Sequence, residues 1–178
     1  DAQISTAQYP SLTGKSSSAY FDGSGDYLSL SNTSDFDFGS GDFLVRLRIK
    51  PDSLTGNKLL IHRGQATNYS PWALWTLGAN LYAEGSLTGS SWAYTLTGST
   101  TLSTATWYLV ELYRYGTEVG IRVNGSRDAY TTVSGSLMVS TASPRIGANS
   151  VGTNAYSGYM SEIEIYKGTC VNTANYTP

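Results

Sequence analysis

Two glutamates separated by one residue, in Glu162-Ile163-Glu164, are the sharpest chemical feature of this sequence. On a strand, residues i and i+2 share a face and lie roughly 6.5 Å apart at the backbone. Retaining glycoside hydrolysis uses two carboxyls roughly 5 to 5.5 Å apart, one of them with a raised pKa, so the spacing admits a nucleophile and an acid. The same spacing also suits ion pairing. Arg46 and Arg48 repeat it on another alternating segment, and cross-strand charge pairs worth a few tenths of a kcal/mol each are the ordinary arrangement. Other catalytic sets are thinner. His62 is the only histidine and Cys170 the only cysteine, so no zinc site can be assembled from them, and a triad would need His62 held by an acid beside a nucleophile. Followed by Arg63 and Gly64 at a strand end, His62 is expected as an exposed turn residue or a polar contact. No Gly-x-Ser-x-Gly elbow is present.

A second chemistry is stacking. Tyr69, Trp72, Trp75, Tyr82, Trp92 and Tyr94 cluster in the middle of the chain. Aromatic rings stack on the C–H faces of sugars, while sugar hydroxyls need polar side chains to replace lost water; Asn68, Asn80, Glu84, Glu111 and Arg114 could supply these. Half or more of the aromatics are expected in the core. By parity Trp72 and Trp75 take opposite faces of a regular strand, so at most one of them is core. If Val110 and Leu112 look inward, Glu111 and Tyr113 look outward. The resulting candidate binding set is Tyr69, Trp72, Tyr82, Trp92, Tyr94, Glu111, Tyr113 and Arg114. A third chemistry is calcium: Asp22, Asp26, Asp35, Asp37 and Asp42 stand in Gly- and Ser-rich stretches, a pattern open to a structural ion but more often that of turn formers.

The elements that must position these residues are strands. The chain has 178 residues, enough for one substantial core. Its 19 Gly, its 14 Tyr and a charged fraction of 13% favour strands over helices. Residues 1–18 read as a linker or arm and 19–178 as one domain. In Phe43 to Lys50, Phe43, Val45, Leu47 and Ile49 alternate with Leu44, Arg46, Arg48 and Lys50. Further strands are expected over residues 58–63, 72–77, 81–85, 91–97, 107–114, 118–123 and 159–167, with a tight hairpin at Asn124-Gly125. Neither helical periodicity nor a fixed repeat is seen. The net charge of -2 argues against nucleic acid as a partner. No apolar run approaches the roughly 20 residues of a membrane helix. The chain reads as soluble and as a piece of something longer. The sequons at Asn32, Asn68, Asn124 and Asn175 read as chance in so Ser- and Thr-rich a chain.

Four stretches, in order, resemble the laminin G-like branch of the concanavalin A-like lectin and glucanase superfamily. They are Ala19 to Leu28 (AYFDGSGDYL), Asp35 to Phe43 leading to Lys50-Pro51, Trp107 to Leu112 leading to Val123-Asn124-Gly125, and Gly158 to Thr169 (GYMSEIEIYKGT) followed by Tyr176-Thr177-Pro178. The first looks like the family's opening hairpin, and the ending is similar to that of phage tail modules. The resemblance implies an all-β, antiparallel two-sheet jelly-roll sandwich. Glycosidases of the superfamily carry a motif resembling Glu-x-Asp-x-x-Glu, which this chain leaves incomplete at Lys167 and Gly168. Many relatives have Asp where Ser161 stands, which leaves a metal-binding role there without its ligand. The expectation is a non-catalytic carbohydrate-binding or adhesion module without a cofactor, on a phage tail virion or other extracellular surface. It would bind a cell-surface glycan or other receptor, with no insertion into a membrane, in a parent that is a homotrimer. The alternatives are a purely structural or decorating domain, favoured if all four tryptophans are buried, and a glycoside hydrolase using Glu162 and Glu164.

Overall fold

In the computed structural model the alternating segments become strands of two stacked antiparallel sheets. The structure describes residues 2–8, 10, 16–64, 69–149 and 152–178. In chain order the elements are β1 (Gln3–Ser5), β2 (Ser18–Asp22), β3 (Leu28–Ser29), a 3-10 turn (Ser34–Phe36), β4 (Phe43–Pro51), β5 (Asn57–His62), β6 (Ala73–Leu77), β7 (Asn80–Gly85), β8 (Tyr94–Thr97), β9 (Tyr108–Tyr115), β10 (Glu118–Val123), β11 (Ser126–Thr132), β12 (Arg145–Ile146) and β13 (Ser157–Lys167). Among the described residues a seven-stranded sheet runs β1-β2-β13-β4-β9-β10-β11 and a six-stranded sheet runs β3-β12-β5-β6-β7-β8. No helix among the described residues is long and apolar enough to cross a membrane.

The core lies between the sheets and follows from the alternation. Phe43, Val45, Leu47 and Ile49 of β4, with Val110 and Leu112 of β9, join Ile61, Leu74, Leu81, Ala83 and Leu96 of the other sheet in one buried cluster. Burying each such side chain contributes about 1.5–3 kcal/mol. Trp72 closes the cluster at one side, its ring stacked 5.0 Å from Phe38 and its Nε1 donating to Phe36 O at 2.9 Å. The β10–β11 hairpin turns on Asn124 and Gly125, at φ 49° and 75°, the pair of left-handed residues that a two-residue turn requires.

Three features depart from the sequence reading. The stretch from Ala19 to Leu28 is not a hairpin: β2 pairs with β13 and β1, whereas β3 pairs with β12 in the opposite sheet. The turn between them is held locally, Asp22 Oδ1 accepting from Ser24 N at 2.7 Å and Asp26 Oδ2 from Asp22 N at 3.1 Å. Within the segment 1–18, Gln3–Ser5 adds an edge strand against β2. The third is a β-bulge in β13. Met160 pairs with Ile49, yet Ile165 pairs with Val45, and the register shifts between Ser161 and Glu164. Met160 lies in the core, with Ile163 and Ile165 packed against it, an odd separation that a regular strand forbids. The extra residue at Glu162, with φ 49°, restores the parity.

The C-terminal segment crosses the outer face of the seven-stranded sheet. Cys170 and Tyr166 pack on Leu44 and Tyr113. Tyr176 N donates to Gly125 O at 3.1 Å, and Arg127 N to Asn175 Oδ1 at 2.9 Å. A Cβ on Gly125 would lie 2.1 Å from Tyr176 O, so glycine there serves both the turn and the close approach of the tail.

Candidate functional site

The outer face of the six-stranded sheet carries a cleft of about 230 Å³ whose lining includes Trp75, Tyr82, Glu84, Asn57 and Asn154. Alternation puts the side chains there. On β6 and β7 the core takes Leu74, Leu81 and Ala83, leaving Trp75, Tyr82 and Glu84 on the other parity. Trp75 and Tyr82 are direct cross-strand partners, a pairing that brings ring edges close. Both are half-buried, so ring surface stays open to solvent. Glu84 is almost covered, and burial pushes its carboxyl up to about 7 against the opposing influence of Tyr82 and Trp75. Trp75 Nε1 is buried and makes no hydrogen bond of normal geometry. The cleft therefore joins two aromatic surfaces to an indole N–H acting on a carboxyl poised near neutrality, and to two carboxamides. Such a set can stack on an apolar ring face and exchange hydrogen bonds with hydroxyls.

Three members of the candidate set reach the surface. Tyr82 lines the cleft. Tyr69 and Trp92 are half-buried and meet edge to face at 4.8 Å. The other five are corrected to structural positions. Trp72 is wholly buried, so of the two tryptophans assigned to opposite faces, Trp72 is core and Trp75 is not. Tyr94 is buried with its ring over Gly85, where a Cβ would come within 2.4 Å of Tyr94 Cε1; burial raises its hydroxyl pKa. Glu111 and Tyr113 do point outward, but the C-terminal segment covers that face and both are fully buried. Glu111 accepts from Tyr176 OH at 2.5 Å and pairs with Arg122 at 3.5 Å. Arg122 in turn lies 3.6 Å over the Tyr113 ring. Arg114 keeps the inward parity and donates to the carbonyls of Gly116, Gly39, Gly135 and Val133. Asn80 donates to Gly98 O and Thr100 O, and Asn68 lies outside the described residues. Asn57 and Asn154 were not among the candidates. Each stands in a turn signal, a cue that reads as loop chemistry before it reads as ligand chemistry.

The glutamate pair is an ion-paired one. Arg48 Nε donates to Glu162 Oε2 at 2.9 Å and Arg46 Nε to Glu164 Oε2 at 2.7 Å, with Tyr166 OH adding 2.7 Å to the same oxygen. These are the cross-strand partners expected from the sequence. His62 is not exposed. It is fully buried with neither ring nitrogen hydrogen-bonded, and burial together with Arg145 lowers its pKa to about 4. Among the described residues no acid is hydrogen-bonded to it to orient it as a base. The aspartates act in turns and ion pairs: Asp37 holds Arg63 at 2.8 Å, Asp42 accepts from Gly116 N at 2.7 Å and Asp35 from Thr33 Oγ1 at 3.0 Å. Among the described residues no three His, Cys, Asp or Glu side chains gather as a metal site.

Residues 22–173 match the Concanavalin A-like lectin/glucanases superfamily, and the chain belongs to that superfamily. Solved structures share its fold. Domain 4 of AbnA, an extracellular arabinanase of Geobacillus stearothermophilus solved with arabinotriose, is 19% identical with a TM-score of 0.69, covering 94% of this chain and 76% of that one. The CBM40 of a Ruminococcus gnavus sialidase bound to α2,3 sialyllactose is 15% identical with a TM-score of 0.60, covering 81% and 92%. Domains LG4-5 of the mouse laminin α1 chain are 14% identical with a TM-score of 0.66, covering 83% of this chain and 40% of theirs. The chain likewise spans 51% of a proposed carbohydrate-binding protein of Bacteroides ovatus. No curated protein of similar sequence was found.

Proposed function

We propose that this domain is a non-catalytic carbohydrate-binding and adhesion module that takes a glycan into the Trp75–Tyr82–Glu84 cleft. The observation that carries the reading is the cross-strand pair Trp75 and Tyr82, half-exposed beside hydrogen-bonding groups on the outer face of a sheet. A domain that only decorates or spaces has no need to keep aromatic surface in solvent, and of the four tryptophans only Trp72 is fully buried. The arginine pairing of Glu162 and Glu164 supports a role without catalysis. The carbohydrates named with the arabinanase domain and the CBM40 belong to those proteins, and they make the same use of this fold a reasonable choice here. We place the module in the receptor-binding part of a phage tail or a similar surface structural protein, displayed on a virion or another extracellular surface, within a homotrimeric parent. The sequence ending from Gly158 to Thr169 supports that placement.

A broad glycan array, with bacterial lipopolysaccharides alongside, tests the reading. Selective binding is expected, and Trp75→Ala or Tyr82→Ala should weaken it roughly tenfold or more, since losing one aromatic stack costs about 1.4 kcal/mol. Binding that survives both substitutions would overturn this site. No binding to any glycan would leave the decorating role.

A further inference from the structure

We propose that the cleft is one half of a longer groove, and that its ligand is an acidic oligosaccharide of two or more units, with a neutral ring on Trp75 and Tyr82 and an anionic unit facing Lys58. The inference rests on the carbohydrate-binding reading above and names the ligand class for the same site.

Beyond the cleft lies a second open cavity of about 560 Å³ at one end of the sandwich. It is bounded by the loops joining β2 to β3, β4 to β5 and β12 to β13, and Ser24, Thr55, Lys58 and Thr153 are among its lining. The two cavities share Asn57 and Asn154, so they meet at those residues. Alone, the 230 Å³ cleft is smaller than the roughly 300–1,000 Å³ of a small-molecule site, and together with its neighbour it is not. The span agrees: Asn57 lies level with Leu77 and Asn80, four residues along the strands from the Ala73–Glu84 pair, which is about 13 Å. One sugar ring does not reach across it.

The junction is built to hold a ligand in the middle of that span. Asn57 and Asn154 are exposed, and neither carboxamide is hydrogen-bonded to a described residue. The backbone under Asn154 is fixed, because its carbonyl accepts from Leu59 N at 2.9 Å while its φ of 53° holds the left-handed turn. Each carboxamide offers an acceptor and two donors to hydroxyls on neighbouring units.

Charge assigns the rim end. Among the described residues, the lining of the second cavity holds no aromatic and no carboxylate, and Lys58 is its one cation. Lys58 has no ion-pair partner among the described residues. At the end of β2 Asp22 accepts from Ser24 N, and in the loop that follows Asp26 accepts from Asp22 N. At the far end stands Glu84, which disfavours an anion. The groove is therefore polar along its length, with a stacked neutral unit near Glu84 and an anionic unit near Lys58.

The test uses the whole domain and an array of mono- to hexasaccharides in which uronate- and sialate-bearing chains are matched to neutral counterparts, followed by calorimetry on the tightest pair. Acidic chains of two or more units should outrank both their neutral counterparts and the free acidic monosaccharide. Lys58→Gln should lower acidic-chain affinity about fivefold, the worth of one exposed charge contact, and leave neutral chains unchanged. Asn57→Ala and Asn154→Gly, the latter tolerant of the left-handed backbone, should weaken chains and spare monosaccharides. Unaltered melting temperatures serve as the folding control. Saccharide binding that is lost in Trp75→Ala but indifferent to chain length or to Lys58→Gln would overturn this inference and leave the carbohydrate-binding reading standing. Failure of the wild-type domain to bind any saccharide overturns both.

Discussion

Removing one hydroxyl, in Tyr176→Phe, measures how firmly the C-terminal segment closes the outer face of the seven-stranded sheet. That hydroxyl donates to Glu111 Oε1 at 2.5 Å, and among the described residues the other oxygen of this wholly buried carboxylate has only Arg122 Nη1 at 3.5 Å. A hydrogen bond to a buried charge is worth about 1.5–3 kcal/mol, and the phenylalanine leaves Glu111 with its long contact alone. A loss of about 2 kcal/mol follows, and at about 2–4 °C per kcal/mol for a domain of this size the melting temperature should fall roughly 4–8 °C. Calorimetry at pH 7 reads it, and a cycle with Glu111→Gln isolates the pairwise term. The same contact has a pH signature. Burial, then the bond to Glu111, push the Tyr176 hydroxyl up to about 12, and burial with Glu118 does the same for Tyr113. Between an ordinary tyrosine's pKa and about 12 the unfolded chain releases these protons while the folded chain keeps them. Their stabilisation is complete below about pH 10 and is lost as pH rises toward 12. Tyr176→Phe should flatten part of that decline. A melting temperature within about 1 °C of wild type, with an unchanged alkaline slope, would refute the claim that the tail holds this face.

Two further outcomes follow from the carboxylates. Glu84, raised to about 7 by burial, should make glycan affinity rise between pH 5.5 and 8.5, approximate limits set around that value, as the ionised form accepts hydroxyl protons; Glu84→Gln should bind with a flat profile in calorimetry. Its stability sign is opposite: the folded chain keeps this proton between an ordinary glutamate's pKa and about 7, so rising pH across that window destabilises wild type relative to Glu84→Gln. Glu162→Gln and Glu164→Gln should each cost under about 1 kcal/mol in denaturant titration, as partly exposed pairs do, and leave glycan binding intact; hydrolysis of an aryl glycoside by wild type and not by these variants would contradict the non-catalytic reading.

The strand pattern was legible because period two is a local property. Phe43 to Ile49 on one parity and Arg46, Arg48 and Lys50 on the other required nothing from the rest of the chain, and Asn124-Gly125 specified its turn by backbone sterics alone. The charge pairs of Arg46 and Arg48 with Glu164 and Glu162 were foreseeable from matching spacing. Parity also divided Trp72 from Trp75 and placed Glu111 and Tyr113 outward.

What parity cannot state is whether an outward face meets water. Glu111 and Tyr113 are buried because a segment more than fifty residues later lies across them, and His62 is buried at a strand end that reads as exposed. The jump of β2 and β3 into different sheets and the bulge at Glu162 are likewise settled by long-range pairing, where Met160 and Ile163 must both reach one core. The sequence by itself determined strands β4 to β10 and β13 and most of their inward faces, since these rest on local sterics and burial of apolar side chains, and four of its stretches carried the resemblance to the superfamily. The tertiary structure alone decided which outward residues stay in solvent, and so which aromatics form a cleft, because a site is made by elements distant in sequence that only packing brings together.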